Sequence, residues 1–415
     1  MRERVAQHVK ELPKSGIRKF FDIVAQSKDI VSLGVGEPDF DTPWHISRAA
    51  VTCLEDGGTH YTSNLGTPEL RQAIVRYLKR RFDATFDGQK EVLVTVGVSE
   101  AIDLAIRASC SPGDEVLYHE PCFVSYAPTI RLAHAVPVCV ETRVEDEFRL
   151  TVAALEKKVT PKTKALLLNF PCNPTGAVLG REDMEGILKF AEKHDLIVLA
   201  DEVYSELNYE GVGEDFRRET GDVRGRETED ERRAGEDGTR GSCLTSFASF
   251  PAYHDRVILL NGFSKSWAMT GYRLGYACGP NDIIDAMMKI HQYGIMSAPT
   301  LSQAAGVEAM DHGDKDVDRM RREYRKRRDY LVPALNGLGL RTVMPKGAFY
   351  IFSDIRSTGL KDDEFALKLL KEFGVAVVPG SAFGACGAGF VRMSYATSLE
   401  KIQLAVERIG RMLAK

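Results

Sequence analysis

The sequence predicts an α/β fold with a large, mostly parallel sheet and a smaller α/β domain. Apolar strand-like runs alternate with helix-like segments from about residue 46 to residue 290, which is the order typical of parallel strands joined by crossover helices. The chain has 415 residues, a length that favours two domains. We therefore expect a large domain over residues 46–290, an N-terminal arm with part of the small domain over residues 1–45, and the rest of the small domain over residues 291–415.

The C-terminal part is predicted from patterns of a different kind. Residues 315–330 (KDVDRMRREYRKRRDY) are basic enough to suggest a nucleic-acid contact. Their interleaved acids and periodic apolar residues fit the solvated face of a helix better. We expect a closing amphipathic helix from Leu399, and strands over Phe349–Phe352, Ala376–Pro379 and Val391–Ser394.

Composition narrows the function classes. The net charge is −4 and the pI is about 6.2, so nothing indicates a nucleic-acid or membrane partner. We find no apolar signal core and no run of membrane-spanning length. The eight cysteines show no Cys-x-x-Cys spacing, which argues against zinc and against a disulfide framework, and we expect no metal. Cys172 beside Asn173 is interpreted as a small loop residue, and a cytoplasmic location is expected.

Residues 261–276 (NGFSKSWAMTGYRLGY) carry the most specific chemical signal. Lys265 follows a strongly apolar strand-like run, Ser264 precedes it, and Arg273 lies eight residues further on. A carbonyl cofactor needs an amine to hold it as a Schiff base, and its phosphate needs a hydroxyl and a fixed cation nearby. A Ser-Lys pair on its own would indicate only that the lysine is exposed to solvent. This pair lies in a segment that contains several bulky side chains and several glycines, which surface segments rarely combine.

Two other apolar runs end in polar residues that suit such a site. Residues 164–170 (KALLLNF) lead into PCNPTG, which contains Asn173 and predicts a loop at the carboxyl end of a buried strand, where ligands of open α/β sheets bind. Residues 196–200 (LIVLA) lead into Asp201, whose charge is costly to bury without a partner. Taken alone, Asn173 would be a simple turn residue and Asp201 a helix cap.

A strand–helix junction earlier in the chain predicts an anion site. Residues 92–97 have the pattern of a strand and residues 98–107 that of a helix. The turn around Val98 and Ser99 therefore lies at a helix N-terminus, which favours a bound phosphate. Ser99 could equally serve as the N-cap, with Glu100 in the first turn, and the two roles are compatible.

Together these motifs resemble those of the class I and II aminotransferases over essentially the whole chain. The resemblance implies a fold-type I architecture with a seven-stranded, mostly parallel sheet, and pyridoxal 5′-phosphate (PLP) as the cofactor. It implies that Lys265 forms the Schiff base and moves the substrate's α-proton, and that Asp201 faces the pyridine nitrogen. The other implied cofactor contacts are Val98, Ser99, Ser264 and Arg273 at the phosphate, and Asn173 and Tyr204 at the phenolic oxygen.

Four more segments resemble loops of the same family. Phe123 in EPCFVSY would stack on the pyridine ring, and Gly36 in SLGVGEPD would let the backbone approach the substrate carboxylate. Arg392 in FVRMSYATS would clamp that carboxylate with its planar fork, close to Asn173. Tyr61 in THYTSNLG would reach the phosphate bound by a neighbouring subunit, which implies a homodimer. By itself, Arg392 would indicate only a surface salt bridge.

The resemblance also implies a reaction. It is nearest to the archaeal and bacterial aromatic and aspartate aminotransferases, which move an amino group from an L-amino acid to a 2-oxo acid, here expected to be 2-oxoglutarate. One aspartate-using branch has a lysine where this chain has Ser99. We therefore expect aromatic donors, with aspartate as the alternative and a lyase of the same fold as a weaker one. Residues expected to supply an apolar lining are Ile17, Phe20, Phe21, Tyr293 and Met296.

Residues 214–240 depart from the family pattern. They contain ten acids and seven arginines and almost nothing apolar, so they cannot bury enough surface to offset their ordering entropy. We expect a mobile surface insertion outside the active site, with partner binding as the alternative. A regulator that keeps the fold without catalysis is a further rival, which the Lys265, Asp201 and Arg392 set disfavours.

Overall fold

The computed structural model describes residues 4–12, 29–210 and 244–414. The predicted insertion at 214–240 lies outside these residues, as do Ile17, Phe20 and Phe21, so the expectations for them stay predictions. Among the described residues, no helix is long and apolar enough to cross a membrane.

The described strands form three sheets. Their bounds are β1 Val31–Ser32, β2 Val92–Thr95, β3 Glu115–Glu120, β4 Val136–Glu141, β5 Thr163–Asn169, β6 Ile197–Asp201, β7 Val257–Gly262, β8 Gly275–Cys278, β9 Tyr350–Asp354, β10 Val375–Ala376, β11 Val378–Pro379 and β12 Phe390–Ser394. The largest sheet has seven strands in the order β2-β8-β7-β6-β5-β3-β4. Only β8 runs antiparallel to its neighbours, so the predicted mostly parallel seven-stranded sheet is confirmed.

Helices pack around these sheets. Their bounds are α1 Gln7–Lys10, α2 Trp44–Glu55, α3 Pro68–Phe82, α4 Val98–Ser109, α5 Tyr126–Leu132, α6 Val152–Glu156, α7 Arg181–Lys193, α8 Phe263–Ser266, α9 Asn281–Gly294, α10 Thr300–His312, α11 Asp314–Gly337, α12 Asp362–Phe373 and α13 Leu399–Leu413. Strands β5, β6 and β7 are almost wholly buried. This explains their continuous apolar sequences, because a strand covered by helices on both faces has no polar side.

The other two sheets are smaller, and one of them pairs a strand near the N-terminus with a strand near the C-terminus. Strand β1 pairs in parallel with β10, and β11, β12 and β9 form an antiparallel three-stranded sheet. Helices α12 and α13 pack beside these strands. We propose that residues 1–45 and 291–415 belong to one small domain. That assignment requires a contact between the two segments, and the pairing of β1 with β10 is such a contact.

Two local expectations need correction. The charged helix α11 ends at Gly337, beyond the predicted Tyr330, because Leu331, Val332 and Leu335 continue its buried face. The N-cap of α4 is Gly97 rather than Ser99, since the helix begins at Val98, two residues earlier than a cap at Ser99 would allow. Glu100 lies in the first turn of α4, as predicted.

Candidate active site

One cavity of about 430 Å³ lies at the carboxyl ends of β5, β6 and β7. This is the edge of a parallel sheet at which α/β proteins bind their ligands. Eleven of the twelve predicted site residues line it in a single chain, and Tyr61 does not. The full lining is Gly36, Glu37, Val98, Ser99, Ile102, Phe123, Tyr126, Asn169, Asn173, Asp201, Val203, Tyr204, Ser264, Lys265, Thr270, Arg273, Tyr350 and Arg392.

Lys265 stands in the short helix α8, directly after the buried strand β7. Its Nζ donates a hydrogen bond of 2.8 Å to the carbonyl oxygen of Gly36. Burial lowers the pKa of Lys265 to about 8; Glu37 opposes this shift, whereas Arg392 and Arg273 add to it. An amine that loses its proton near neutral pH can act as a nucleophile and as a proton carrier.

Asp201 ends strand β6 and is only 4% exposed. Its Oδ2 accepts a hydrogen bond of 2.6 Å from the Tyr126 hydroxyl, and its Oδ1 accepts one of 3.2 Å from the Val203 amide. Burial raises the pKa of Asp201 to about 6, and these two hydrogen bonds oppose the shift. Both partners are neutral, so the carboxylate can still interact with a cationic group of a ligand.

Arg392, on β12, also lines the cavity and is held in place by hydrogen bonds and by aromatic rings. Its Nη1 donates to Asn173 Oδ1 at 3.0 Å, and its Nη2 donates to the carbonyl oxygen of Gly34 at 2.7 Å. The guanidinium lies over the rings of Tyr350 and Phe383, 4.5 and 4.8 Å from their centroids. It is 3% exposed, and its Nε has no hydrogen-bond partner in the described structure. A buried guanidinium with a free donor favours an anionic ligand.

Position 36 must be glycine because the Tyr350 hydroxyl and the Arg392 guanidinium lie close to its backbone. A Cβ atom added there would lie 2.7 Å from the Tyr350 hydroxyl oxygen and 3.8 Å from Arg392 Nη1. The Tyr350 hydroxyl also shares a 2.9 Å hydrogen bond with the Tyr204 hydroxyl. Gly36 therefore lets backbone, Tyr350 and Arg392 converge in a space that a side chain would fill.

The N-terminus of α4 forms the third wall. Gly97 has a φ of 76°, and a Cβ atom there would lie 2.7 Å from Arg273 Nη2. Arg273 Nη1 donates to the carbonyl oxygen of Thr270 at 3.0 Å, which fixes the guanidinium beside the helix. The first N–H groups of a helix have no partner within it, and Ser99 and Ser264 bring hydroxyls to the same cavity. This corner suits a phosphate.

Some expectations about the lining are not met within one chain. Tyr61, predicted to serve a neighbouring subunit, is 82% exposed and stands outside the cavity. Tyr293 and Met296, expected as apolar lining, are 89% and 44% exposed and do not line it either. Tyr293 lies in the last turn of helix α9 and Met296 lies two residues after its end, so both are at the surface of the described chain.

The cavity also contains residues that the sequence analysis missed. The Tyr126 hydroxyl donates to Asp201, and the Tyr350 hydroxyl shares a hydrogen bond with Tyr204. Asn169 Oδ1 accepts from the backbone N–H of Asn173 at 2.9 Å. The signal for Tyr126 was present, since it lies in the same EPCFVSY segment as Phe123. The other residues missed are Glu37, Ile102, Val203 and Thr270.

Comparison with known proteins agrees with this geometry. The family model described as aminotransferase class I and II matches residues 28–409. The chain belongs to this family. It is 45% identical to the putative aminotransferase YugH of Bacillus subtilis over all of both chains. It is 46% identical to an aspartate aminotransferase of Pyrococcus abyssi over 96% of this chain and 95% of the other.

A solved structure supports the same assignment. The aromatic aminotransferase of Pyrococcus horikoshii superposes with a TM-score of 0.84 at 44% identity, covering 96% of this chain and 98% of the other. This aminotransferase is therefore a PLP-dependent enzyme of fold type I that moves amino groups between amino acids and 2-oxo acids. The predicted family, fold and cofactor are confirmed.

Proposed function

We propose that this aminotransferase prefers aromatic L-amino acids as donors and uses 2-oxoglutarate as the acceptor. The observation that carries the site assignment is the convergence of the Lys265 amine, the Asp201 carboxylate and the Arg392 guanidinium on one cavity. When bound, PLP supplies an aromatic ring that withdraws electrons from the substrate's α-carbon. The residues below would hold it and carry out the proton transfers.

The donor set fits each part of PLP. Asp201 offers a buried carboxylate for the pyridine nitrogen, and Phe123 offers a ring to stack on. Asn173 has its Oδ1 occupied by Arg392, which leaves its amide group for the phenolic oxygen beside Tyr204. The phosphate would take the corner formed by Val98, Ser99, Ser264 and Arg273.

We assign proton transfer at the substrate's α-carbon to Lys265. Its lowered pKa gives it a substantial neutral fraction near pH 8, and a general base works best when its pKa lies near the working pH. Arg392 would bind the substrate carboxylate through Nε and Nη atoms, and its contacts with Asn173 and Gly34 would keep it oriented. Orientation at this carboxylate decides which bond of the α-carbon is weakened.

The proposed donor preference rests on the charges that line the cavity. The cations among the described lining residues are Lys265, Arg273 and Arg392, and the proposal assigns each of them to the cofactor or to the α-carboxylate. Glu37 adds a negative charge to the same cavity, which disfavours a second substrate carboxylate. Aspartate remains the second candidate, because a relative named aspartate aminotransferase is 46% identical to this chain.

The ranking of donors tests this proposal. We would measure kcat/KM for tyrosine, phenylalanine, aspartate, alanine and kynurenine with 2-oxoglutarate as acceptor. We expect breadth, with the aromatic donors ahead by about tenfold, since apolar pockets discriminate by only about 1–3 kcal/mol per group. A tenfold preference for aspartate over both tyrosine and phenylalanine would overturn the proposed donor and leave the amino-transfer assignment intact.

We also propose that the enzyme is a cytoplasmic homodimer. Tyr61 lies outside its own chain's cavity and is 82% exposed, which supports a role at the phosphate of a neighbouring subunit. Seven cysteines of the described chain carry free thiols, which supports a reducing compartment.

A further inference from the structure

Two thiols and a carboxylate meet at the outer edge of the large sheet. Glu120 ends β3, Cys139 lies in β4, and Cys386 lies in the turn Ala385–Gly387. One ligand atom from each residue lies within 4.8 Å of the other two. Tyr118 of β3 pairs in register with Cys139 of β4, so the two side chains lie on the same face of the sheet. Glu120 is two residues after Tyr118 and therefore lies on that face as well.

Close packing brings the third residue to the other two. Gly384 has a φ of 116°, and a Cβ atom there would lie 2.3 Å from Glu120 Oε2. The turn that carries Cys386 therefore lies directly against the Glu120 carboxylate. The Cys122 amide donates to the carbonyl oxygen of Phe383 at 3.0 Å, which ties the loop after β3 to the start of this turn. The three side chains are therefore close because backbone contacts hold their three segments together.

The charges nearby are engaged elsewhere. The Glu120 carboxylate accepts a 2.6 Å hydrogen bond from the Tyr118 hydroxyl. Within the described chain, Arg143 pairs with Glu141 at 3.6 Å and Arg356 with Asp354 at 2.5 Å. The hydrogen-bond partners of Glu120 include the Tyr118 hydroxyl and the Cys139 thiol, and both are neutral groups, so a cation bound between the two sulfur atoms and the Glu120 oxygen would balance its charge.

We propose that Glu120, Cys139 and Cys386 form a binding site for one divalent, thiol-binding cation, with Zn²⁺ as the best match. Zinc accepts sulfur at about 2.3 Å and carboxylate oxygen at about 2.0–2.2 Å, so its ligand atoms lie about 3.4–3.8 Å apart. The ligand atoms lie within 4.8 Å of one another, so the cluster needs to contract by at most about 1.4 Å to meet this geometry. Both thiols lose a proton on binding, so one Zn²⁺ enters and two protons leave.

The coordination shell would be completed from solvent. A cleft of about 340 Å³ is lined by Cys386 together with Glu141, Thr142 and Arg143. Of the three proposed ligands Cys386 lines this cleft, so a cation and a water molecule as its fourth ligand would enter past that thiol. The site is separate from the cofactor cavity, although Phe123 of that cavity lies three residues after Glu120. Metal binding would therefore stabilise the loop that carries Phe123 without taking part in amino transfer.

Titration of the PLP-loaded enzyme with metal tests the site. The enzyme would be reduced, treated with a chelator and dialysed, and then titrated with Zn²⁺ while bound metal is counted by elemental analysis. We expect one Zn²⁺ per chain and at least a tenfold loss of affinity in Cys139→Ser and in Cys386→Ser. Cys53→Ser, which changes a partly exposed thiol in α2, is the matched control and should bind like the unchanged enzyme.

Substitution with Co²⁺ adds an independent readout. Thiolate coordination should give sulfur-to-cobalt charge-transfer absorption in the unchanged enzyme and in Cys53→Ser, a weaker band in Cys386→Ser, which keeps one thiolate, and none in the double variant Cys139→Ser/Cys386→Ser. Retention of the cofactor's visible absorption would show that each variant is folded, whatever its metal content. The proposal is overturned if the reduced enzyme binds no stoichiometric metal, or if Cys139→Ser and Cys386→Ser bind it as tightly as Cys53→Ser. A pair of thiols that only forms a disulfide on oxidation would give the first of these results.

Discussion

At the scale of single residues, the site depends on groups whose chemistry is altered by burial. Lys265 is surrounded by Arg273 and Arg392, and burial together with these cations makes its proton easier to lose, while Glu37 limits the effect. Asp201 is altered in the opposite sense, because burial raises its pKa and so favours the neutral carboxyl. The result is a base that is active near neutral pH beside a carboxyl group that needs a cationic partner to stay ionised.

The altered lysine gives the first prediction. In the cofactor-free enzyme, the rate at which an acylating reagent labels Lys265 should rise with pH through about 8, because only the neutral amine reacts. In the unfolded chain, the same lysine should respond only as the pH approaches about 10.4. Peptide mapping at a series of pH values measures both curves. Coincidence of the two midpoints would show that folding does not alter this amine.

Gly36 gives the second prediction. Gly36→Ala places a methyl group 2.7 Å from the Tyr350 hydroxyl and beside Arg392, so we expect kcat/KM for the amino-acid donor to fall by about tenfold or more, roughly 1.4 kcal/mol. Gly34→Ala is the matched control, since its Cβ atom would meet its nearest neighbour at 3.5 Å, an ordinary contact. Adding Tyr350→Phe to Gly36→Ala should recover part of the loss. Equal kinetics for the two alanine variants would contradict the assigned role.

At the scale of elements, the site is assembled from the ends of buried strands. The apolar runs before Asn173, Asp201 and Lys265 predicted β5, β6 and β7, and the structure places all three loops at one edge of the sheet. Strand sequences could predict this because parallel neighbours end on the same side. They could not predict Tyr350, since its contact with Tyr204 spans 146 residues and depends on how the smaller sheets pack.

Side chains brought together across the chain are the general limit of the sequence analysis. Cysteine spacing argued against zinc, and it could not show that Glu120, Cys139 and Cys386 meet, because they are brought together by the pairing of β3 with β4 and by a distant turn. In the same way, Tyr126 supports Asp201 from 75 residues away. A resemblance to known motifs recovers residues within those motifs, and it gives no information on partners that pack against them from other segments.

The N-terminus of α4 gives the third prediction. Gly97→Ala forces a φ of 76° on a residue with a side chain and pushes its methyl group towards Arg273 Nη2, 2.7 Å away. With a ψ of 166°, Gly97 has a conformation that is almost restricted to glycine and costs other residues about 1–3 kcal/mol, and we expect the dissociation constant for PLP to rise by about tenfold. Gly271→Ala is the control, because a Cβ atom there meets nothing within 4 Å. Absorbance titration measures both. Unchanged PLP affinity in Gly97→Ala would separate this turn from the phosphate.

At the scale of the whole molecule, large apolar side chains cover part of the surface. Trp44 is 72% exposed, Tyr61 82% and Tyr293 89%. The homodimer proposed above gives these residues a role, because a second copy of the chain would cover them and would bring the partner's tyrosine to the cavity.

Hybrid dimers test this arrangement. Lys265→Ala and Tyr61→Phe chains would be mixed, unfolded and refolded together, and assayed at limiting PLP. If Tyr61 serves the neighbouring subunit, the hybrid contains one site with both residues intact, so its activity should exceed that of either variant alone. If Tyr61 acts within its own chain, no intact site forms and the mixture should show only the average of the two parents.

The central claim is that this cavity transfers an amino group with Lys265 as the proton carrier. The most direct test is to incubate the PLP-loaded enzyme with L-tyrosine and no 2-oxo acid, and to count the products. We predict one equivalent of the keto acid per site and no ammonia, with the rate reduced by at least about 100-fold in Lys265→Ala. Continued keto-acid formation with release of ammonia, or an undiminished rate in Lys265→Ala, would contradict the account.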